Sequence, residues 1–262
     1  CYLSHIHVLM DSNPTAIQRQ MQTGDFDCRS GGGVAIHQNM NVWFNRARCK
    51  CLAILHGVLI AALLCLSVPA AAETVKILAF GDSLSAGYGL EKPVSFTAQL
   101  QAALRGAGED VVVINGGVSG DTSAGGRARL AWALADKPHA MILELGANDG
   151  LRGLEPRQTE SNLDAIVTEA HANGVEVLLT GMLAPPNLGT EYGQEFRAVY
   201  AGLAEKHPVL FDPFFLQGVA TVPGLNQADG IHPNADGVAK VVARLLPMVR
   251  ELVARARVRA RL

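Results

Sequence analysis

From residue 75 onward, the chain alternates between short runs of consecutive apolar residues and longer stretches in which apolar residues recur at helical spacing. The apolar runs lie at residues 75–80, 111–114, 140–145, 175–180 and 209–211. Strands that are apolar throughout are typical of a parallel sheet covered by helices on both faces. Strand and helix also follow one another in alternation, as in α/β proteins. The sequence therefore predicts an α/β fold with a central, parallel, five-stranded sheet and helices on both faces.

The segment before this alternation differs from the rest of the chain. Residues 1–39 begin with Cys1 and show neither helical nor strand periodicity, so we expect a non-native extension upstream of a start at Met40. Residues 40–72 place a basic segment first, then an apolar run, and then three alanines that end at Ala72. This order is typical of a secretory signal peptide that is cleaved after Ala72, with an uncleaved membrane anchor as the alternative.

The expected mature domain, residues 73–262, contains none of the five cysteines and carries 17 lysines and arginines against 21 aspartates and glutamates. We expect it to be periplasmic in a Gram-negative source, or secreted, with no disulfide and no thiolate metal site. It has no metal-binding constellation, GxxxxGK phosphate loop or dinucleotide fingerprint, so no metal or cofactor is expected. Its charge balance argues against a nucleic-acid partner. Near the end of the chain, arginines occupy every second position, at Arg255, Arg257, Arg259 and Arg261. This pattern predicts a solvated helix end, with transient contact with anionic phospholipid as the alternative.

Three polar, glycine-rich turns follow the first three apolar runs. They read GDSLS at 81–85, NGGVSGDTS at 115–123 and GANDG at 146–150. The carboxyl ends of parallel strands share one edge of the sheet, and ligands bind there, so these turns should converge. Ser83 lies where a strand is expected to end and a helix to begin, which suits a nucleophile. The alternative is that Ser83 only caps that helix.

A serine nucleophile needs a base, and the mature domain contains four histidines. His139 precedes a strand, His171 lies in a helix and His207 lies near a helix end, so none of these is expected at the site. His232 lies in a loop before the last helix, three residues after Asp229. This spacing lets the carboxylate bond the second imidazole nitrogen. A capping aspartate and a turn histidine are the alternative explanation of this pair.

Other polar residues near the three turns have structural explanations. Asp82 and Asp121 favour turn formation. Glu144 falls on a buried strand, where a structural hydrogen bond is the expected role. Ser85 and Ser119 are rival nucleophiles, but neither follows its strand as directly as the first serine of GDSLS does.

Four segments taken together resemble the sequence blocks of the SGNH (GDSL) hydrolases. They are GDSLS, the glycine within SGDTS, GAND and DGIHP, in that order, over nearly all of residues 74–250. The similarity looks closest to the small periplasmic enzymes described as thioesterase I, arylesterase or lysophospholipase L1, because ELGANDGLRGL, PFF and DGIHPN also resemble them. The resemblance implies a three-layer, flavodoxin-like SGNH hydrolase fold over residues 73–262.

The resemblance also implies roles for particular residues. Ser83 would be the nucleophile, His232 its base and Asp229 the carboxylate that orients the histidine. The backbone N–H groups of Ser83 and Gly120 would form the oxyanion hole together with the side-chain amide of Asn148. These residue types suit the task, because a glycine lets the backbone approach a developing charge and a carboxamide donates without ionising.

The expected reaction is hydrolysis of carboxylic esters and thioesters of acyl chains, which are small-molecule substrates, through an acyl-serine intermediate. A carbohydrate O-acetyl esterase, which would prefer short acyl groups, is the alternative enzyme. A non-catalytic envelope binding protein is disfavoured, because such a protein has no reason to keep the expected catalytic residues together. Several apolar residues in the loops could line a cleft for the acyl chain, with ordinary loop packing as the alternative explanation. They are Leu151, Leu154, Leu183, Pro185, Phe214 and Phe215.

Overall fold

The computed structural model describes residues 73–260, so the expected upstream extension (1–39) and signal peptide (40–72) lie outside the described residues. The strands are β1 (Val75–Gly81), β2 (Val111–Gly117), β3 (Ala140–Glu144), β4 (Glu176–Thr180) and β5 (Leu210–Asp212). They form one parallel sheet in the order β2-β1-β3-β4-β5. This is the strand order of flavodoxin-like folds, so the expected architecture is confirmed.

Helices cover both faces of this sheet. They are α1 (Ser83–Ala86), α2 (Phe96–Gly106), α3 (Ser123–Leu134), α4 (Ala147–Leu151), α5 (Pro156–Ala172), α6 (Thr190–Lys206) and α7 (Ala235–Arg259). On one face α2 packs against α7, and on the other α3, α5 and α6 pack side by side, as right-handed crossovers require. Within residues 73–260, none of the helices combines the length and the hydropathy of a membrane span.

The sheet places three turns around one crevice. Strand β1 has β2 on one side and β3 on the other, so the chain direction across the sheet reverses at β1. The connections that leave β1, β2 and β3 therefore diverge and leave a crevice at their carboxyl ends. These connections are the three polar, glycine-rich turns, which confirms that they meet at one edge.

Strand β2 extends three residues beyond its expected end at residue 114. Its ladder with β1 continues as far as the pair Gly81 and Gly117. A Cβ on Gly117 would lie 2.2 Å from the backbone nitrogen of Ala86, so only glycine lets α1 pack directly on the end of β2. The glycines therefore act here as strand residues that bring the first two turns together.

The apolar core lies on both faces of the sheet. All five residues of β3 are buried. From the helices, Leu100 and Leu104 on one face and Leu163 and Ile166 on the other are fully buried, as their helical spacing predicts. Each side chain of this size contributes about 1.5–3 kcal/mol when it is removed from water. The crevice therefore rests on a well-packed scaffold.

Of the four alternating arginines, two bond to other elements of the domain, Arg255 bonds Glu251 within α7, and Arg261 lies outside the described residues. Arg257 bonds Glu109 at 2.6 Å, and Arg259 bonds Glu176 at 2.8 Å. Burial would raise the pKa of Glu109, but hydrogen bonds from Arg257 and Arg250 hold that pKa below its ordinary value. The expectation of a solvated helix end is wrong for Arg257, whose side chain is 27% exposed.

Candidate active site

The turn between β1 and α1 presents Ser83. The helix is capped by the residue before it, because Asp82 Oδ1 accepts the Leu84 N–H at 3.0 Å. Ser83 is the first helical residue, and its hydroxyl is not used as a cap. The alternative that Ser83 only caps the helix is therefore wrong, and its Oγ is available at the crevice.

A hydrogen-bonded relay connects this hydroxyl to a carboxylate. His232 Nε2 lies 2.9 Å from Ser83 Oγ, and His232 Nδ1 lies 2.7 Å from Asp229 Oδ2. The other carboxylate oxygen, Oδ1, accepts the backbone N–H groups of Ile231 and His232. Hydrogen bonds from the Ile231 N–H and from the His232 side chain lower the pKa of Asp229 to about 2. Asp229 is therefore ionised at neutral pH, which favours the tautomer with the proton on Nδ1.

The loop that carries His232 is held to the rest of the site by Gln227. The Gln227 N–H donates to the His232 carbonyl at 2.7 Å, and its side-chain amide donates to the carbonyls of Tyr88 and Pro233. The Tyr88 ring also lies 4.8 Å from the imidazole, centre to centre. The base and the nucleophile, which are 149 residues apart in sequence, thus meet through a small number of side-chain contacts.

The predicted oxyanion donors come from all three turns. Within the described residues, the N–H groups of Ser83 and Gly120 have no protein acceptor, and Gly120 has a φ of 85°. Asn148 Nδ2 donates to Asp82 Oδ2 at 3.1 Å and to the Asp121 carbonyl at 2.9 Å. Both hydrogens of the Asn148 NH₂ group are thus directed at protein acceptors. A substrate oxygen bound in the crevice would share one of these hydrogens with the acceptor that already receives it.

Two buried carboxyl groups lie behind the nucleophile turn. Glu144 Oε2 accepts the N–H groups of Asp82 and Ser85 and the Ser85 hydroxyl. Burial raises the pKa of Glu144 well above its ordinary value, and the charge of Asp82 raises it further. Burial also raises the pKa of Asp82, to about 6. The structural role predicted for Glu144 is confirmed, and Ser85 is excluded as a nucleophile because its hydroxyl is buried against that carboxyl.

Replacing Glu144 with glutamine tests whether this carboxyl is protonated in the folded protein. A raised pKa means that folding takes up a proton, so stability is fully present below the unfolded-state pKa and is lost as pH rises towards the folded-state pKa. A glutamine needs no proton, and its carbonyl oxygen can accept the same three hydrogen bonds. Glu144→Gln should therefore gain about 1.4 kcal/mol of unfolding free energy over wild type per pH unit in this window.

Urea unfolding at about pH 5.5 and about pH 7.5 measures this gain. Glu160→Gln, at an exposed position of α5, is the control and should follow wild type at both pH values. If the difference between Glu144→Gln and wild type is the same at both pH values, the folded protein does not hold the extra proton.

The other histidines lie away from the crevice. His139 Nδ1 accepts the Lys76 N–H at 3.0 Å, and His207 bonds Asp164 at 2.6 Å. His171 lies in α5, where burial lowers its pKa. None of these three contacts Ser83, which agrees with the choice of His232 by elimination.

The residues predicted to line an acyl cleft differ in how far they are exposed. Leu151 and Leu183 are 49% and 37% exposed at the carboxyl edge of the sheet, and Leu183 and Pro185 border a cavity of about 340 Å³ beside α6. Leu154 and Phe214 are half-buried. The prediction is wrong for Phe215, whose ring is 1% exposed and packs edge-on against Phe96. Its N–H donates to the Gly181 carbonyl, which turns the side chain into the core.

Three exposed apolar side chains at this edge were not found from the sequence. They are Tyr88, Val118 and Ile231, which are 54%, 45% and 50% exposed. Val118 and Ile231 lie one or two residues from Gly120 and His232. An apolar residue inside an otherwise polar, glycine-rich turn is the signal that could have found them, because such a position has no core to enter.

Comparison with known proteins identifies the family of this chain. Residues 79–240 match the GDSL-like lipase/acylhydrolase family. The esterase TesA of Pseudomonas aeruginosa is 44% identical over 193 residues, which cover 73% of this chain and 95% of the relative. The thioesterase 1/protease 1/lysophospholipase L1 of Escherichia coli K12 is 40% identical over 185 residues, which cover 70% of this chain and 86% of the relative.

A solved structure extends the similarity to three dimensions. The crystal structure of AlinE4, an SGNH-hydrolase family esterase, is 48% identical in sequence and superposes with a TM-score of 0.59. The match covers 68% of this chain and 96% of that esterase. The chain therefore belongs to the GDSL-like lipase/acylhydrolase family and is an ester-hydrolysing enzyme.

Proposed function

We propose that this chain hydrolyses carboxylic esters and thioesters of acyl chains through an acyl-serine intermediate on Ser83. The observation that carries the proposal is the continuous hydrogen-bonded relay from Asp229 through His232 to Ser83 Oγ. Two backbone N–H groups without protein acceptors, those of Ser83 and Gly120, lie at the same edge of the sheet. A nucleophile, an oriented base and donors for an oxyanion are the parts that acyl transfer requires.

In the first half of the reaction, His232 Nε2 takes the proton of Ser83 as Oγ attacks the acyl carbon. The negative charge moves to the carbonyl oxygen, which accepts from the N–H groups of Ser83 and Gly120 and from Asn148. Asp229 stabilises the imidazolium that forms. His232 then gives its proton to the leaving alcohol or thiol, and a water activated by the same nitrogen hydrolyses the acyl-serine.

The apolar rim of the crevice supports an acyl chain as the substrate group. We define this rim as Tyr88, Val118, Leu151, Leu183 and Ile231, which are all exposed at the carboxyl edge of the sheet. Each methylene group that leaves water against such a surface contributes about 0.8 kcal/mol. The relatives named esterase, thioesterase and lysophospholipase act on substrates with acyl groups, which agrees with this choice.

A chain-length series of p-nitrophenyl esters, from acetate to palmitate, tests the substrate class. We expect kcat/KM to rise by up to about fourfold per added methylene until the rim is covered. Acyl-CoA and lysophospholipid substrates would then separate thioesterase from phospholipid activity. A maximum at acetate would support the carbohydrate O-acetyl esterase instead, and no turnover of any ester would support a non-catalytic binding protein.

We also infer that the enzyme acts outside the cytoplasm, in the periplasm or as a secreted protein. The basic segment, apolar run and alanines of residues 40–72 support this inference, with cleavage near Ala72. N-terminal sequencing of the protein recovered from the culture medium or the periplasm tests it. A mature protein that begins upstream of residue 52 would contradict cleavage and favour an anchor.

Removing the Asn148 carboxamide should slow the chemical step. Asn148→Ala deletes one of three oxyanion donors, and the loss of one such donor raises the barrier by about 3 kcal/mol, so we expect kcat to fall about a hundredfold or more. KM should change little, because the oxygen is negative only in the transition state. Steady-state kinetics with the best ester of the chain-length series measure both constants. The control is Asn173→Ala, which lies at the end of α5 and at the opposite edge of the sheet. Wild-type turnover in Asn148→Ala would contradict the assignment of Asn148 as an oxyanion donor.

A further inference from the structure

We propose that Arg129 is a positioning residue that holds the oxyanion donors in register by joining the turns that carry them. This inference rests on the proposed function. Arg129 lies on α3, and its guanidinium group bonds three acceptors in the first two of the three turns. Nε donates to Asp121 Oδ2 at 2.6 Å, Nη1 to the Gly116 carbonyl at 2.8 Å and Nη2 to the Gly81 carbonyl at 2.9 Å.

These two turns carry two of the three oxyanion donors, and the third donor is hydrogen-bonded to one of them. Gly81 lies two residues before Ser83 and ends β1. Asp121 directly follows Gly120, and its backbone carbonyl accepts the Asn148 side-chain amide at 2.9 Å. Each of the three predicted donors is therefore within two residues, or one hydrogen bond, of a residue that Arg129 bonds.

The surroundings of the guanidinium group fix it in this position. Its carbon lies 4.2 Å from the centre of the Phe80 ring, which gives a cation–π contact on one face. The side chain is 18% exposed, and its Asp121 partner is 17% exposed. A planar group with donors on all sides can reach three acceptors at once, whereas a lysine ammonium is a compact charge on a flexible stem. The geometry thus requires an arginine and not only a positive charge.

The matched pair Arg129→Lys and Arg127→Lys tests this role. Both residues lie on α3, but Arg127 is exposed and makes only a 3.4 Å hydrogen bond to Asn162. We expect Arg129→Lys to lower kcat about tenfold to a hundredfold, since misplacement by about 1 Å can have that effect, with KM within about twofold. Arg127→Lys should leave both constants within about twofold of wild type. Thermal unfolding of each variant verifies that the folded protein is being assayed.

A double-mutant cycle with Asn148→Ala separates positioning from a general structural role. If Arg129 acts through the oxyanion donors, the kcat loss from Arg129→Lys should be clearly smaller once Asn148 has been removed, because one of the three donors that it positions is then absent. An equal loss in both backgrounds, or wild-type kcat in Arg129→Lys, would overturn the proposal. In the same experiment, wild-type turnover and its loss in Asn148→Ala report on the proposed function itself.

A second readout requires no turnover. The side-chain NH₂ signals of Asn148 in ¹⁵N-labelled protein report on the two acceptors that hold this amide. Arg129→Lys should shift or broaden these signals because the Asp121 side chain loses its bond to Nε and the Asp121 backbone, whose carbonyl accepts the Asn148 amide, is then held less firmly. Arg127→Lys should leave the signals in place. Unchanged Asn148 signals in folded Arg129→Lys would overturn the proposal even if the wild-type protein proved inactive on every ester.

Discussion

Ser83→Ala should abolish ester hydrolysis, with a fall in kcat of about a millionfold, which is the size expected when a nucleophile of this type is removed. Ser83 Oγ is the hydroxyl that His232 Nε2 contacts, at 2.9 Å. The neighbouring Ser85 cannot replace it, because its hydroxyl is buried and bonded to Glu144. The fold should survive the change, since Asp82 provides the cap of α1.

The measurement combines kinetics with mass spectrometry of the acylated protein. Wild type incubated with a slowly deacylating ester should gain the mass of one acyl group, and Ser83→Ala should gain none. Ser119→Ala is the matched control, because Ser119 is exposed in the second turn and was the other rival nucleophile. Turnover by Ser83→Ala above about one percent of wild type would place the nucleophile elsewhere.

Asp229→Asn should lower kcat about a thousandfold or more while KM changes little. In wild type, Oδ1 accepts the N–H groups of Ile231 and His232, and Oδ2 faces His232 Nδ1. An asparagine would keep its carbonyl oxygen towards the two backbone donors and so direct its NH₂ group at Nδ1. The imidazole would then have to carry its proton on Nε2, where it could not accept the proton of Ser83.

This explanation differs from a simple loss of negative charge, and the two can be separated. Asp229→Ala removes the charge but does not force the wrong tautomer, so it should be no slower than Asp229→Asn. If only the lost charge mattered, Asp229→Ala and Asp229→Asn would have equal kcat values. A kcat within about tenfold of wild type in both variants would contradict any role of Asp229 in orienting His232. Asp136→Asn, at an exposed position before β3, is the control for an aspartate that lies away from the site.

The sequence predicted which turns meet, because the carboxyl ends of parallel strands share one edge of a sheet. It was less able to predict where strands end. The glycines of the second turn predict the end of β2 at residue 114, whereas Gly117 continues the ladder because its missing side chain lets α1 approach. The pair Phe214 and Phe215 shows a related limit, since adjacent residues point in different directions and only tertiary contacts decide which ring is buried.

Arg129 illustrates why part of the site could not be found from local patterns. Its acceptors lie 8, 13 and 48 residues away in sequence, so no motif contains them together. In the sequence it is one of two arginines in a helix, where exposure to solvent is the usual expectation.

The buried state of Glu144 is easier to predict, because a carboxyl in a run of apolar strand residues has to enter the core with the strand.

The attachment of the His232 loop has a consequence for how this enzyme loses activity. The sheet is held by continuous ladders and a buried core, whereas the loop is fastened to the nucleophile side mainly through Gln227 and the Tyr88 ring. Segments with few buried contacts open by local fluctuation at a lower free energy than the global unfolding of the domain. Separation of base from nucleophile should therefore precede melting of the sheet, so inactivation by heat or denaturant reports the opening of this loop and not the stability of the fold.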